Sequence, residues 1–395
     1  MVPKGWEVLH LKDVASKIQD GNYGADYPKA DEFVASGIPF LTSKVIGGIG
    51  TINPDKFDYI KEEKHQSLKK AQIVAGDILF TNRGANVGTI AIVPDYIATA
   101  NIGPQLTLVR CNDCILKEYL FQFLRGSFFQ KQIQQRDSGS AMNFFGIKDT
   151  ERFKVLVPSL SEQKRIAQIL STWDKAISVT EKLLANSQQQ KKALMQQLLT
   201  GKKRLLDENG VRFSGEWVYL TFDNAFIVAN KKSTQVKSSD YLQSGSIPII
   251  DQGQSRIAGY CNNLEVYSDV PVIVFGDHTR CVKWIEFVFC PGADGTQVIK
   301  TSKILEPKLG YYLLSNTDIP NLGYSRHMRE LKEKDFRLPL DIKEQQKIAA
   351  VLSAADAEIS TLEKKLACLR DEKKALMQQL LTGKRRVKVD EAVAE

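Results

Sequence analysis

The chain has 395 residues, a formal net charge of +8 and a hydrophobic fraction of 43%. This length predicts two or three domains, and the hydrophobic fraction is too high for an intrinsically disordered protein. No run of about 18 apolar residues is present, which excludes a membrane-spanning helix. The N-terminus lacks the apolar core of a signal peptide, so we expect a cytoplasmic protein.

Six cysteines are too few for a disulfide scaffold in a chain of this size. Cys111 and Cys114 have the spacing of half a zinc site, but no second close pair completes four ligands. We therefore predict no metal site. The modest excess of positive charge is compatible with a nucleic-acid partner without requiring one.

An internal repeat organises the chain. Residues 162–204 and 344–386 align without a gap and are identical at 26 of 43 positions. The run Lys191–Lys202 recurs unchanged as Lys373–Lys384. The sequence therefore predicts a duplication in which each of two variable segments is followed by the same helical segment.

Each repeated segment is predicted to be one long helix, because neither contains proline and the first glycines, Gly201 and Gly383, follow the last apolar positions. About 39 helical residues span roughly 60 Å, more than a small domain needs. Apolar residues recur at steps of three and four, which is typical of a coiled coil. The predicted coiled-coil residues are Ile166, Leu170, Trp173, Ile177, Leu184, Ile348, Leu352, Ile359, Leu362, Leu366 and Leu369.

The variable segments are predicted to be rich in β-strands, with short apolar runs bounded by turn residues. The expected fold class is α+β: two β-rich globular domains separated by two long helices that form an antiparallel coiled coil, as a pseudo-two-fold repeat. An alternative is that each helix packs along its own globular segment. The predicted regions are a globular domain at 1–160, a helical arm at 161–205, a second globular domain at 206–342, a second arm at 343–386 and a tail at 387–395.

Two unlike globular domains on nearly identical helices suggest recognition of two different features at a fixed separation, and double-stranded DNA has that geometry. Side chains that read base edges are frequent in the predicted loops, since Arg and Lys recognise guanine and Asn and Gln recognise adenine. The predicted DNA-binding residues are Asn82, Arg83, Asn101, Gln105, Asn143, Lys148, Gln252, Gln254, Arg256, His278, Arg280, Lys283, Arg326, His327 and Arg329. A solvated loop residue or a phosphate contact is the alternative for each.

Specific motifs give the chain a resemblance to the specificity (S) subunit of type I restriction-modification enzymes. Glu-Gln-x-x-Ile-Ala-x-x-Leu-Ser occurs at 162–171 and 344–353, and the shared run ends each helix. Gly76–Gly84 and Val274–Arg280 are similar to strand-loop segments of target recognition domains. The resemblance extends over nearly the whole chain.

That resemblance implies two target recognition domains that each read one half of a bipartite asymmetric site, with the helices setting the spacer. It also implies docking of two methyltransferase (M) subunits, which are joined by restriction-translocase (R) subunits. The S subunit would be non-catalytic and hold no cofactor, since S-adenosylmethionine, ATP and Mg²⁺ are expected on its partners. The implied methyltransferase-docking residues are Lys191, Leu194, Met195, Leu198, Lys373, Leu376, Met377 and Leu380.

Two other functions remain open from the residues. Asp55, Glu62 and Lys64 loosely match the carboxylate cluster of Mg²⁺-dependent nucleases, although residues 61–70 are predicted to form a polar helix that would separate the carboxylates. A DNA-independent coiled-coil adaptor would explain the repeat but not the polar loops. No phosphate-binding loop and no Asn-Pro-Pro-aromatic methyltransferase motif occur in the sequence.

Overall fold

The computed structural model describes residues 3–24, 27–48, 50–137, 144–321, 323 and 325–388. The chain divides into two compact units, one formed by Met1–Glu181 with Lys365–Glu395 and the other by Lys182–Lys364. Each unit therefore contains one globular segment together with part of both long helices. Within the described residues, none of the helices combines the length and apolar character that a bilayer crossing requires.

The globular segment of the first unit contains three sheets and four short helices. Its two-stranded sheet pairs β1 with β11, its four-stranded sheet has the order β2-β10-β7-β8, and its five-stranded sheet has the order β3-β5-β4-β9-β6. The elements are β1 Glu7–His10, β2 Ala15–Asp20, β3 Phe33–Val34, β4 Ile38–Leu41, β5 Asp58–Ile60, α1 Glu62–Ser67, β6 Gln72–Ile73, β7 Ile78–Thr81, β8 Ile90–Ile92, β9 Ala100–Ile102, β10 Leu106–Cys111, α2 Lys117–Arg125, α3 Ser127–Asp137, α4 Ile147–Glu151 and β11 Lys154–Val157.

The second globular segment, which follows helix α5 Leu160–Leu198 and precedes helix α9 Ile342–Leu380, repeats this plan with different residues. A two-stranded sheet pairs β12 with β20, a four-stranded sheet has the order β13-β19-β16-β17, and a three-stranded sheet has the order β15-β14-β18. The elements are β12 Trp217–Thr221, α6 Phe222–Ala225, β13 Phe226–Val228, β14 Ile247–Ile250, β15 Gly259–Cys261, β16 Val272–Gly276, β17 Val282–Ile285, β18 Cys290–Pro291, β19 Thr296–Thr301, α7 Pro307–Ser315, α8 Met328–Lys332 and β20 Asp335–Pro339.

The four-stranded sheets have the same strand order, with a buried central strand in each. All four residues of β7 and all five of β16 are buried, because both faces of the sheet are covered. The continuous apolar runs that predicted these strands are typical of strands in such an interior. The two globular segments thus share a topology that their weak sequence similarity did not reveal.

Helices α5 and α9 are each 39 residues long. The Ser159 side-chain oxygen accepts the Glu162 backbone N–H at 3.4 Å and lies just before the first helical residue. Gly201 and Gly383 follow the helices with φ values of 70° and 65°, a backbone conformation that glycine adopts without strain. The predicted C-terminal glycines are therefore confirmed.

In the first unit, segments of the two long helices lie side by side in opposite directions. Residue numbers rise along one helix while those of their ion-pair partners fall along the other, which is the antiparallel arrangement. The pairs join Glu162 to Arg386 at 2.6 Å, Asp174 to Lys373 at 2.5 Å and Glu181 to Arg370 at 2.7 Å.

The second unit contains ion pairs that correspond, through the internal repeat, to those of the first unit. Asp356 pairs with Lys191, as its counterpart Asp174 pairs with the counterpart of Lys191. Glu344 pairs with Arg204 at 2.5 Å, as Glu162 pairs with Arg386. The predicted fold class is confirmed, and the internal repeat extends from the sequence to the contacts themselves.

The predicted coiled-coil residues fall into two groups. Ile166 and Leu170 pack in the hydrophobic core of the first unit, and Ile348 and Leu352 pack in that of the second. The others are buried or half-buried along the helices: Trp173, Ile177, Leu184, Ile359, Leu362, Leu366 and Leu369. The first turns of each helix therefore pack on the globular segment that precedes it, as the alternative predicted. The two helices also pair in antiparallel directions.

The ion pair between Arg204 and Glu344 is expected to stabilise the second unit. The Glu344 side chain is 0% exposed, and Arg204→Ala would leave its carboxylate buried without its cation. Unpairing a buried charge costs about 3–5 kcal/mol, so the free energy of unfolding measured with urea should fall by that order. Lys203→Ala, at the exposed neighbouring position, is the control and should change it by less than about 0.5 kcal/mol. Equal effects of the two substitutions would contradict this role for the pair.

The repeat also predicts that a fragment comprising residues 1–205 forms a homodimer. Each copy carries Lys191, Leu198 and Arg204, the counterparts of the α9 residues that complete the first unit in the full chain. Each copy can therefore complete the other by an isologous contact. Light scattering coupled to size exclusion should give twice the fragment mass. Arg204→Ala in the fragment should weaken the dimer, and a fragment that stays monomeric and folded would refute the exchange.

Candidate nucleic-acid interface

A buried polar residue ends the central strand of the four-stranded sheet in the first unit. Asn82 is 0% exposed, and its side-chain NH₂ donates to Thr107 Oγ1 at 2.9 Å and to Asp20 Oδ1 at 3.2 Å. Its backbone N–H donates to the Gln105 carbonyl at 2.9 Å, and its own carbonyl accepts the Phe145 N–H at 2.9 Å. Asn82 thus joins three chain segments and has no free edge for a base.

The residue after Asn82 is placed at the surface by this junction. The Arg83 guanidinium lies 4.5 Å from the centre of the Phe144 ring, and that phenylalanine is 48% exposed. Arg83 Nε also donates to the Asn82 side-chain oxygen at 3.3 Å. A cation stacked on an exposed aromatic ring is suited to contact with phosphates and bases. Lys148, on α4, is exposed as well.

The remaining predicted residues of the first unit differ in position. Asn101 is buried in the five-stranded sheet, where its oxygen lies 2.5 Å from His65 Nδ1 and its NH₂ donates to the Leu68 carbonyl at 3.1 Å. The Gln105 side-chain oxygen is buried and has no hydrogen-bond partner in the described part of the chain. Asn143 lies outside the described residues. Contact with DNA remains a prediction for these residues, and burial places Asn101 away from a groove.

Asp277 occupies the corresponding position at the end of β16 in the second unit. Its N–H donates to the Gly295 carbonyl at 2.7 Å, and its carbonyl accepts the His327 N–H at 2.8 Å. Its carboxylate accepts the Met328 N–H at 2.7 Å. The same junction is therefore built with a carboxylate in one unit and an amide in the other.

Several predicted residues of the second unit are held by this junction. His327 is fully buried, with Nδ1 2.8 Å from the Asp277 carbonyl. The His278 N–H donates to Gln252 Oε1 at 3.1 Å, and its Nδ1 is 3.1 Å from the Ser325 carbonyl. The His278 side chain is 10% exposed and His327 is fully buried, so both rings are held largely inside the segment.

Arg280 has the left-handed backbone conformation, with φ of 60°, which is uncommon for a residue other than glycine. Its N–H donates to the Gly276 carbonyl at 2.7 Å, and its Nη1 donates to the Ile319 carbonyl at 2.8 Å. These bonds stabilise a tight turn after β16. The guanidinium is thus half-buried and engaged with the protein.

The exposed residues among the predicted set lie on the loops around this junction. Arg256 lies over the Phe287 ring at 5.6 Å, and Arg329 is paired with Glu333 at 3.5 Å. Gln254 and Arg326 are exposed. These four side chains form the cationic and amide-bearing surface of the second unit.

Lys283, in contrast, is only 8% exposed. Its ammonium donates to the carbonyls of Asp251 and Ser255, both at 2.7 Å. Burial lowers the pKa of Lys283, and the nearby Asp251 carboxylate opposes that shift. The structure therefore places this predicted DNA contact inside the domain.

The predicted docking residues are also largely internal. Leu198 and Leu380 are buried in the cores, and Leu194, Met195, Leu376 and Met377 pack against them. Lys191 and Lys373 form the ion pairs described above. These contacts fasten the helix ends to the globular segments.

A second face of the repeated run is exposed in both units. Its residues are Lys192, Ala193, Gln196 and Gln197 in α5 and Lys374, Ala375, Gln378 and Gln379 in α9. The two faces have the same sequence, because they belong to the same duplicated segment. One kind of partner surface could therefore bind to both.

In the structure, the lysine of the predicted nuclease cluster is paired with a carboxylate outside that cluster. Glu62 and Lys64 lie on α1, and the Lys64 ammonium pairs with Glu32 at 3.0 Å. Within the ranges that the structure describes, no three His, Cys, Asp or Glu side chains are grouped to hold a metal ion. Lys64 is therefore engaged with a carboxylate that is not part of the predicted cluster.

Sequence reasoning missed the acidic and aromatic residues of the interface. Asp251 and Asp277 accept hydrogen bonds that shape the loops, and Phe144 and Phe287 support the two arginines. A search for base-reading side chains favours Arg, Asn and Gln and passes over these residues. Aromatic residues within polar loops were the available signal.

Residues 3–186 match the family model described as type I restriction modification DNA specificity domain. A putative type I restriction enzyme specificity subunit, MjaX, from Methanocaldococcus jannaschii is 27% identical over 98% of this chain and 95% of that protein. The Escherichia coli EcoR124I/EcoR124II specificity subunit is 30% identical over 24% of each chain. These similarities confirm the resemblance seen in the sequence motifs.

Solved structures support the fold. The S subunit of a type I restriction-modification system from M. genitalium has a TM-score of 0.63 at 15% identity, covering 96% of this chain and 99% of that chain. A chain from a study of complex assembly and conformational transition in a type I restriction-modification system has a TM-score of 0.54 at 18% identity, covering 98% and 100%. At these identities the likeness concerns the fold alone.

Proposed function

We propose that this chain, which belongs to the specificity-subunit family of type I restriction-modification enzymes, is the non-catalytic subunit that selects the DNA sequence. The observation that supports this most directly is that the four-stranded sheets of the two globular segments have the same strand order, whereas their surface residues differ. Each of these sheets, the frame of its globular segment, keeps the fold while the loops on it vary. Such a division is what a protein with two different recognition specificities requires.

Each globular segment is proposed to read one half of a bipartite asymmetric site. Lys148 in the first, and Gln254, Arg256 and Arg326 in the second, are exposed and can enter a groove. Arg83 is half-buried and lies over the exposed Phe144 ring. Asn82, Asn101 and His327 have internal hydrogen bonds instead, so we propose that they shape the surface. The domain boundaries at 160, 205, 342 and 386 stay part of this proposal, as does the role of the helices in setting the spacer.

The partners are proposed to be two methyltransferase subunits, joined by restriction-translocase subunits. The exposed faces at Lys192–Gln197 and Lys374–Gln379 support this, since identical surfaces suit two copies of one partner. S-adenosylmethionine, ATP and Mg²⁺ would be bound by those subunits, in the cytoplasm. A DNA-independent adaptor has no specific observation in its favour, because it leaves the stacked arginines of both interfaces without a role.

Arg83→Ala and Arg256→Ala should each alter one half of the recognised sequence. A lost base contact costs about 1–3 kcal/mol, so discrimination at the affected position should fall by about 5- to 150-fold. The measurement is sequencing of methylated positions in cells that carry the chain with its methyltransferase subunit. Each substitution is the control for the other, because each should leave the half-site read by the other globular segment unchanged. A change in both halves from either substitution would contradict the modular reading of DNA.

Charge reversal on the exposed faces should release one partner at a time. Lys374→Glu with Gln378→Glu changes one face, and Lys192→Glu with Gln196→Glu changes the other, while the buried leucines remain. Native mass spectrometry of the complex should show one methyltransferase subunit fewer for each double variant. Lys164→Glu, at an exposed position outside the run, is the control. Unchanged stoichiometry in both double variants would refute docking on these faces.

A further inference from the structure

Lys283 connects the two ends of one surface loop. The residue lies on β17, and its ammonium donates to the carbonyl of Asp251 at the start of the loop 251–256 and to that of Ser255 near its end, each at 2.7 Å. The Asp251 carboxylate lies 3.7 Å from the same ammonium. A lysine ammonium has three hydrogens to donate, and the carbonyls take two of them. One buried cation therefore closes the loop across its base.

Further bonds fix the conformation of the loop. The Asp251 carboxylate accepts the Gly253 N–H at 2.8 Å, which forms a tight turn. Gln252 Oε1 accepts the His278 N–H at 3.1 Å, and the Gln252 carbonyl accepts the Thr279 hydroxyl. The loop is thus bonded to the turn after β16 as well as to Lys283.

The backbone at Gly295 closely approaches the side chains of Gln252 and His278 beneath the loop. A Cβ atom on Gly295 would lie 2.5 Å from Gln252 Oε1 and 2.7 Å from His278 Cδ2, both shorter than any ordinary contact. Three chain segments therefore meet at a site that only glycine allows. The loop geometry is determined by several independent contacts.

The same arrangement directs two other side chains outward. Gln254 and Arg256 are exposed, and Arg256 lies over the Phe287 ring. Of the two carbonyls that Lys283 binds, that of Ser255 lies between these two residues in the chain, and that of Asp251 begins the same loop. A displacement of the loop ends would therefore move both side chains.

We propose that Lys283 is a positioning residue for recognition of one DNA half-site: it holds the loop 251–256 so that Gln254 and Arg256 meet the bases, and it contacts no phosphate itself. This inference rests on the proposed DNA-reading function. It separates two roles that a lysine in a DNA-binding domain can have, and the two roles differ in their salt dependence.

A phosphate contact contributes about 0.9 to the slope of log affinity against log salt concentration, because its loss retains one counterion on the DNA. A positioning residue contributes nothing to that slope, because it neutralises no phosphate. Lys283→Met removes the donors while retaining the side-chain length. We expect the assembled complex with this variant to lose about tenfold or more of its discrimination at bases of one half-site, with the salt slope and the other half-site unchanged.

Two further variants control this experiment. Lys308→Met removes another half-buried lysine of the same segment, which lies over Trp284 at 4.5 Å, and it should leave discrimination unchanged. Lys283→Gln retains one donor group without the charge, so it provides the same test if the methionine variant does not assemble. Recognition of the unaffected half-site shows in each case that the complex is folded.

The result that overturns the proposal is a fall of about 0.9 in the salt slope with discrimination retained, which would identify Lys283 as a phosphate contact. Retention of both quantities would equally overturn it, because the loop would then not depend on Lys283. Failure of the proposed function is a different result: the unsubstituted complex would bind duplexes of any sequence equally, or not at all.

Discussion

The structure depends on a buried carboxylate at the first turn of each long helix and on the arginine that pairs with it. Glu162 and Glu344 lie at these turns and are almost fully buried, and each binds the arginine that follows the end of the other helix. In the first unit Trp6 also donates to Glu162, at 3.1 Å, so the beginning of the chain, one helix start and the other helix end meet at one carboxylate. A buried charge requires its partner. The pair therefore joins the end of one long helix to the first turn of the other in each unit.

This arrangement gives a physical meaning to the duplicated sequence. Each long helix contributes to both units: its first turns pack in the core of the unit that contains the preceding globular segment, and its last turns pack in the core of the other unit. The repeated run is conserved between the two copies within the chain because it must fit two frames of the same topology. The exposed face of that run is identical because both copies belong to the same duplicated segment, and this identity provides two equivalent surfaces.

The residues proposed to recognise DNA differ from those that hold the loops in place. Asn82, Asp277 and Lys283 are buried, and their hydrogen bonds join loops to the central sheet. Arg83 and Arg256 extend from those loops and rest on aromatic rings. Leaving a buried polar group without a hydrogen-bond partner costs free energy, so these hydrogen bonds hold the loops strongly. Exposed arginines are free of that constraint and can be exchanged without loss of the fold.

The sequence by itself determined the repeat, the two long helices with their C-terminal glycines, the β-rich segments between them and the resemblance to a family. These features follow from local patterns: periodic apolar residues, turn residues and an identical run of residues. Only the tertiary structure decided that Leu198 and Leu380 are core residues and that Lys283 and His327 face inward. Residue type shows what a side chain can bind, but its exposure depends on which distant segments pack over it. That packing is set by contacts between residues far apart in the chain, such as Lys283 with Asp251 and Glu162 with Arg386, and no local pattern records them.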